Sequence, residues 1–300
     1  MAPGVPRAVP HRGAVGGRFS VSSLTLTVPE PAASEPGVAR LAVPLLRRAR
    51  ERGVTGFDLS RSANPRAAAH RLRDAFPGAD PELVVFVAAQ DRSTGSRAAR
   101  TGPLESLAAL RRELGPHQRT VVLTGTETAP DDDRDLLRLR ADGEILDLVR
   151  PLEPGSRGED LRSGELSLLR PEAAQLLDSL PAATSPFLIA FDPFGAGALD
   201  GSWLERGALD RGPRTPPAAL RELEGALAPV QRLGFLTRPG RPLMRAALDF
   251  VLGWPSVLTT VVPLPLPERL DAVLAAGNGA PFSDDELRQL GVRRASAARG

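Results

Sequence analysis

The sequence predicts an α/β protein whose parallel strands close into a (β/α)8 TIM barrel. Apolar, strand-like runs alternate with segments of helical periodicity along most of the 300 residues, a pattern typical of βαβ units. About eight such units are present, the number that closes a barrel of roughly 250 residues. No Gly-x-Gly-x-x-Gly motif follows the first strand, which argues against an open dinucleotide-binding sheet.

The strands are predicted from short runs rich in apolar and β-branched residues. The first alternates between polar and apolar positions, whereas the third is apolar throughout, as expected of a strand buried on both faces. The segment between strands five and six is short and punctuated by Gly, Pro and Ser, so the fifth helix is expected to be vestigial. The predicted strands are Phe19–Val28, Val54–Leu59, Leu83–Ala88, Thr120–Leu123, Ile145–Val149, Leu166–Leu169, Phe187–Phe191 and Leu258–Val262.

Helices are predicted from apolar residues at helical spacing together with end signals. Gly53 terminates the first helix, Asn64 precedes Pro65 as an N-cap, and Ser283 with Glu286 forms a capping box. The predicted helices are Val38–Arg52, Pro65–Phe76, Leu104–Leu114, Asp132–Ala141, Pro171–Leu180, Leu220–Leu233, Arg241–Leu252, Pro267–Ala276 and Ser283–Leu290.

The barrel is expected to occupy residues 19–292 as a single domain. Residues 1–18 are rich in Pro, Gly, Arg and Ala without periodicity, so we predict a flexible N-terminal tail. Residues 293–300 are predicted to form a second flexible tail.

The composition excludes several kinds of chemistry. The chain contains no Cys and no Tyr, and all 38 basic residues are Arg. Thiolate nucleophiles, thiolate metal sites, Lys Schiff bases and phenolic acids are therefore impossible. The formal charge is only +2 and no basic stripe with interleaved aromatics is present, so no nucleic-acid partner is predicted. No apolar run could span a membrane and no secretory signal is apparent, which predicts a cytoplasmic protein with no membrane partner.

Six segments, in order along residues 19–290, resemble motifs of the aldo-keto reductases. Each motif is weak alone, and the order and spacing carry the resemblance. The segments are VSSL at 21–24, GVTGFD at 53–58, ADGEI at 141–145, FDPFGAGAL at 191–199, ALDFVL at 247–252, and PERL at 267–270 with FSDDEL at 282–287. The resemblance implies the family's (β/α)8 barrel and a link to NADP(H)-dependent carbonyl reduction.

The family's catalytic tetrad of Asp, Tyr, Lys and His is largely missing by this resemblance. Asp58 matches the Asp. The Tyr position falls at Ala63, the Lys position at about Ala89 or Gln90, and the His position at about Thr124 or Gly125. Realignment cannot supply a Tyr or a Lys, because the chain has neither. Asp58 is thus the one candidate catalytic residue, either as an acid–base group or as an inherited, hydrogen-bonded aspartate.

The family's cofactor motifs are also altered. Phe191 matches the aromatic residue that stacks on the nicotinamide, and Phe191, Asp192 and Gln90 are candidate cofactor-binding residues. The alternative for Phe191 and Asp192 is a core aromatic followed by a turn aspartate. The phosphate-cradling I-P-G-x segment after strand eight aligns with VPLP at 262–265, which replaces a Gly with Leu and adds prolines without N–H groups. A carboxylate pair of Asp58 and Asp192 is a further, weaker possibility.

Three residues are candidates for substrate binding. Arg61 and Arg150 are expected near the barrel mouth, where either could hold a phosphate or carboxylate; the alternative is that both are ordinary surface arginines. Trp203 lies in the long loop after strand seven and either covers a pocket or packs that loop. A metal site is not predicted, because the histidines are scattered at His11, His70 and His117.

Two hypotheses for function follow. The first is an aldo-keto reductase-like barrel that has lost NADPH-dependent reduction and acts as a pseudoenzyme, binding a small molecule or a protein partner. The second is an NAD(P)H-dependent oxidoreductase or another enzyme with a non-standard site around Asp58, Arg61 and Gln90. The sequence leaves the substrate, the partner and the oligomeric state open.

Overall fold

The fold is an eight-stranded parallel barrel, as predicted. The computed structural model describes residues 8–29, 36–78, 80–89, 103–115, 119–125, 130–156, 160–179, 187–200 and 228–292. The strands are β1 (His11–Gly13), β2 (Ser20–Ser22), β3 (Leu24–Thr27), β4 (Gly56–Asp58), β5 (Val84–Ala88), β6 (Arg119–Leu123), β7 (Asp147–Pro151), β8 (Leu161–Glu165), β9 (Leu188–Phe191) and β10 (Val257–Pro263). Strands β3 to β10 pair in sequence order, and β10 closes the barrel on β3.

Helices connect these strands on the outside. They are α1 (Pro36–Glu51), α2 (Pro65–Ala75), α3 (Pro103–Leu114), α4 (Pro130–Ala141), α5 (Glu172–Ser179), α6 (Leu243–Leu252), α7 (Pro267–Ala275) and α8 (Asp284–Gln289), and residues 228–232 are also helical. Asn64 caps α2 and the Ser283–Glu286 capping box opens α8, both as predicted. None of the helices in the described ranges is long and apolar enough to cross a bilayer.

Two apolar layers follow from the alternation of side chains along the strands. In β5, Val84 and Phe86 point into the barrel, where they pack in a cluster with residues of β6 to β10. Val85 and Val87 point outward into a larger core between strands and helices. The barrel interior is therefore filled with side chains along these strands.

A short hairpin closes the lower end of the barrel, where the strands begin. Strands β1 and β2 pair antiparallel, and Phe19 and Val21 are buried in the barrel's inner cluster. The Arg12 guanidinium donates to the carbonyls of Val257 at 2.6 Å and Leu252 at 2.8 Å. The predicted flexible tail is therefore wrong for residues 8–18, because buried side chains and long-range hydrogen bonds hold this stretch. The predicted first strand is likewise divided into β2 and β3.

The sixth barrel strand differs from its prediction. It is β8, the polar sequence LRSGE at 161–165, rather than Leu166–Leu169. Only Leu161 in β8 is buried, because its neighbours approach the barrel mouth. Leu166 and Leu168 instead pack into the outer core just beyond the strand. The apolar run at 166–169 therefore lies in the turn after the strand, and the polar segment at 161–165, which was predicted to be irregular, forms the strand.

The segment between β7 and β8 is short, as predicted. Residues 152–160 separate the two strands, and the described part of this segment contains no helix. Strand β7 begins two residues later than predicted, because Ile145 packs into the outer core before the strand starts. The short connection brings Pro151 and Ser163 side by side in register at the mouth.

Candidate functional site at the barrel mouth

A cavity of about 350 Å³ opens at the carboxyl ends of the barrel strands. This is the end at which (β/α)8 enzymes place their active sites. The size falls at the lower limit of small-molecule pockets. Polar and apolar groups alternate around it, so it suits a small ligand with several hydrogen-bonding groups. The lining residues are Ser60, Arg61, Ala88, Leu123, Thr124, Gly125, Pro151, Ser163, Gly164, Glu165 and Phe191.

Asp58 lies at the end of β4, fully buried beside the cavity-lining Ser60. Its Oδ1 accepts hydrogen bonds from the Ser60 backbone N–H at 3.0 Å and from the Ser60 hydroxyl at 2.5 Å. Its Oδ2 makes no hydrogen bond of ordinary geometry in the described part of the chain, although a side-chain hydrogen bond with Thr27 also lowers the pKa of Asp58. Burial raises the pKa of Asp58 to about 6, although Ser60 and the charge of Arg61 oppose that shift. The group is therefore poised to change protonation near neutral pH.

The position of Asp58 depends on close backbone packing at Gly56, two residues earlier. Gly56 lies in β4 directly against β3. A Cβ there would come within 2.2 Å of Thr25 Oγ1 and 2.9 Å of Val21 Cγ2. Only glycine allows β4 to approach this closely, which fixes the strand that carries Asp58.

Arg61 and Phe191 meet at the mouth. The Arg61 Cζ lies 5.2 Å from the centroid of the Phe191 ring, within the range of a cation–π contact. Phe191 ends β9 and is 7% exposed. A guanidinium of the same chain therefore lies against the ring that the resemblance assigns to nicotinamide stacking. Both residues line the cavity, as the sequence predicted for a ligand site.

Asp192 follows Phe191 in a left-handed conformation, with φ of 53°. Its Oδ1 accepts a 2.7 Å hydrogen bond from the backbone N–H of Ala196. Burial and the nearby charge of Glu165 raise the pKa of Asp192, whereas the Ala196 N–H and Arg61 lower it. The Asp192 side chain therefore stabilises the loop that begins at this residue. Charged groups of both signs lie near it.

Glu165 and Ser163 are site residues that the sequence did not reveal. Both lie in β8 and line the cavity, and Glu165 is ion-paired with Arg170. They were missed because β8 was interpreted as irregular. The sequence signal that could have identified them is the two-residue spacing of Leu161, Ser163 and Glu165, whose side chains lie on the same face of the strand.

The positions aligned with the missing tetrad residues differ in their surroundings. Thr124 lines the cavity, and its hydroxyl donates to the Val149 carbonyl at 3.2 Å. Ala89 is buried in the outer core rather than facing the mouth. Its neighbour Ala88 lines the cavity instead. Ala63 is exposed. These side chains carry no proton donor of the kind the resemblance implies.

Arg150 does not reach the cavity, and its predicted role in ligand binding is wrong in this structure. Its Nη2 lies 2.9 Å from both carboxylate oxygens of Asp133 on α4. Because Val149 points into the barrel, Arg150 points outward to the helix layer. Gln90 and Trp203, also predicted as site residues, lie outside the described residues. No group of three or more His, Cys, Asp or Glu in the described ranges could hold a metal ion.

The segment after β10 does not fit a phosphate in the manner the resemblance implies. Pro263 is exposed but lacks an N–H, while Leu264 is 7% exposed and packs into the outer core. Anion cradles are built from successive free backbone N–H groups, and Pro263 and Pro265 supply none.

The geometry defines the chain as a (β/α)8 protein with a candidate site at the strand ends, and structural comparison specifies the fold further. The chain is similar to an aldo-keto reductase of Bacillus halodurans in its holo form, with a TM-score of 0.66 at 15% identity over 97% of this chain and 99% of that one. The apo form of that protein gives a TM-score of 0.64 at 15% identity over the same shares of the two chains.

A Pseudomonas aeruginosa protein provisionally classed as an aldo-keto reductase gives a TM-score of 0.56 at 16% identity over 89% of this chain and 94% of that one. No protein-family model and no curated protein matches the sequence. At these identities the similarity establishes the aldo-keto reductase fold, which confirms the resemblance seen in the motifs at the level of fold.

Proposed function

We propose that this protein is an aldo-keto reductase-like barrel that binds a small polar molecule at its mouth and does not carry out standard NADPH-dependent carbonyl reduction. The observation that carries the proposal is the Arg61 guanidinium over the Phe191 ring, at 5.2 Å. This contact places a guanidinium against the ring on which, by the resemblance, a nicotinamide would stack. The absence of Tyr and Lys from the sequence removes the family's proton donor and its partner.

The ligand is proposed to be small and rich in hydroxyl or carbonyl groups. Ser60 and Ser163 offer hydroxyls at the cavity wall, and Arg61 offers guanidinium N–H donors. Leu123 and Pro151 supply apolar contacts between these polar groups. Such a mixture of a few directed polar groups on an apolar wall is typical of small-molecule sites.

The partners and location are part of the same proposal. A small molecule or a protein partner is favoured over nucleic acid, since the formal charge is only +2. We propose a cytoplasmic location as part of this function.

Titration of the purified protein with NADPH, followed by calorimetry, tests the proposal. We expect no saturable binding at millimolar cofactor. Saturable micromolar binding would refute the proposal, because it would require the Phe191 face and the segment after β10 to accept the dinucleotide. A thermal-shift screen of uncharged polyols and hydroxy ketones then identifies the ligand class. Arg61→Ala is expected to abolish a hit, whereas Arg150→Ala, which removes an arginine outside the cavity, retains it.

A second candidate is an enzyme that uses Asp58 as an acid–base group. The observation that favours it is the combination of complete burial at the end of β4, beside the cavity, and a pKa raised to about 6. A general acid or base works best when its pKa lies near the operating pH. If a turnover assay is found, Asp58→Asn should remove the activity and its pH dependence together. Activity that survives with an unchanged pH profile excludes Asp58 from the chemistry.

A further inference from the structure

Two hydroxyl groups on the cavity wall already donate their protons to the protein. The Ser60 hydroxyl donates to Asp58 Oδ1 at 2.5 Å, and the Thr124 hydroxyl donates to the Val149 carbonyl at 3.2 Å. A hydroxyl group has one proton to donate and two lone pairs that accept. Because both protons are directed into the protein, Ser60 and Thr124 can only accept a hydrogen bond from a ligand in the cavity.

The direction of the hydrogen bond between Ser60 and Asp58 follows from the charge of the carboxylate. Burial raises the pKa of Asp58 only to about 6, so the group is ionised at neutral pH and has no proton to donate. The same Oδ1 also accepts the Ser60 backbone N–H at 3.0 Å. Ser60 is 6% exposed and Thr124 is 7% exposed, which limits the rearrangement of either side chain.

The other polar side chains on the wall complete its hydrogen-bonding character. Glu165 contributes a carboxylate that only accepts, and Arg170 pairs with one of its oxygens. The Ser163 hydroxyl makes no hydrogen bond within the described ranges, so it can donate or accept. Arg61, whose guanidinium lies against Phe191, is the donor with a positive charge. Among the cavity-lining side chains, acceptors therefore outnumber dedicated donors.

An alcohol and a carbonyl compound would meet this wall differently. A carbonyl oxygen only accepts, so against Ser60 or Thr124 it would leave two acceptors facing each other without a proton. A ligand hydroxyl donates to the wall, and its oxygen can still accept from Arg61. Sites built around the hydroxyl of a ligand discriminate strongly against analogues that lack it. A neutral alcohol also suits the mouth better than an ammonium group, because the Arg61 guanidinium is already there.

We propose that the mouth binds a small neutral polyol through its hydroxyl protons, and that Ser60 and Thr124 discriminate against the corresponding ketone or aldehyde because their own protons are held by Asp58 and by the Val149 carbonyl. This inference rests on the proposed function and narrows its ligand from hydroxyl or carbonyl compounds to alcohols. Ser60 and Thr124 are thus specificity residues of the site.

Erythritol and its ketone erythrulose are the probes, because they share a carbon chain and differ in one hydroxyl that is oxidised to a carbonyl. The chain of erythrulose is too short to mask its carbonyl in a stable ring. Calorimetric titration at neutral pH gives the dissociation constant of each probe. We expect the wild type to bind erythritol at least about tenfold more tightly than erythrulose.

Three variants assign this preference to the two hydroxyls. Ser60→Ala and Thr124→Val each remove one acceptor, and we expect one or both to lower the ratio of the two dissociation constants at least about threefold. Ser163→Ala is the matched control, because it removes a hydroxyl that can take either role. It should weaken both probes similarly and retain the ratio. Circular dichroism and urea unfolding establish that each variant is folded, and Thr124→Val, which conserves shape, serves if Ser60→Ala does not fold.

Three outcomes would overturn the inference. Equal or tighter binding of erythrulose by the wild type overturns it while the proposed function stands, because a small polar molecule is still bound. A ratio that is unchanged in every folded acceptor variant also overturns it. If the wild type binds neither probe, the inference fails, and the proposed function is decided separately by the NADPH titration.

Discussion

Asp58 is expected to destabilise the folded protein at neutral pH, so Asp58→Asn should stabilise it. Burial raises the pKa of Asp58 from 3.8 to about 6, so the folded state holds the proton more tightly than the unfolded state. The stability contributed by the protonated form is present at low pH and is lost as the pH rises through 3.8 and towards 6. At about 1.4 kcal/mol per pKa unit, the ionised carboxylate costs about 3 kcal/mol above pH 7.

Urea unfolding of the wild type and Asp58→Asn, followed by circular dichroism, measures this cost. Asn keeps an oxygen that can accept from Ser60, so the comparison isolates the charge. We expect Asp58→Asn to have a larger free energy of unfolding than the wild type at neutral pH. The difference between variant and wild type should be about 2 kcal/mol greater at about pH 7.5 than at about pH 4.5. The exposed-site variant Asp142→Asn should show no such change. A difference between Asp58→Asn and the wild type that does not vary with pH would refute the assigned environment of Asp58.

Two further predictions concern buried polar contacts away from the mouth. Asp249→Ala should lower the free energy of unfolding by about 3–5 kcal/mol, because buried Asp249 accepts from Arg245 at 2.9 Å and lies 3.5 Å from buried Arg241; a loss below 1 kcal/mol in urea unfolding would contradict it. Arg12→Ala should lower that free energy by about 1–3 kcal/mol, because two backbone carbonyls at the lower end of the barrel lose their donor. Hydrogen exchange should also increase at β1 and β2, and unchanged protection there would count against this role of the hairpin.

The barrel was predictable because its central strands carry a signal that tertiary packing reinforces. The run at Leu83–Ala88 is apolar on both faces, and it became β5, buried by the inner cluster on one side and by helices on the other. The capping box at Ser283 was equally clear, because its hydrogen bonds are local. Local pattern and global packing agree in these elements.

The prediction failed where long-range contacts decide the structure. Residues 8–18 have no periodicity of their own, and they are held by contacts such as those of Arg12 with Val257 and Leu252, far away in sequence. Strand β8 is polar because its end borders a cavity, so hydrophobicity alone could not find it or Glu165. The outward direction of Arg150 depends on register, and a shift of one residue reverses every side chain.

The loss of stability caused by the buried charge of Asp58 helps to decide between two interpretations: an inherited residue without a present role, or a residue that acts on a ligand. A fully buried carboxylate without an ion-pair partner is unusual, because Asp is almost never fully buried unless it is paired. Replacing it should stabilise the fold, and residues that lower stability are most often retained where they act on a ligand. The same Asp58→Asn protein therefore separates the two interpretations. Higher stability with unchanged ligand affinity identifies Asp58 as an inherited residue, whereas higher stability with lost affinity or turnover identifies it as part of the site at the mouth.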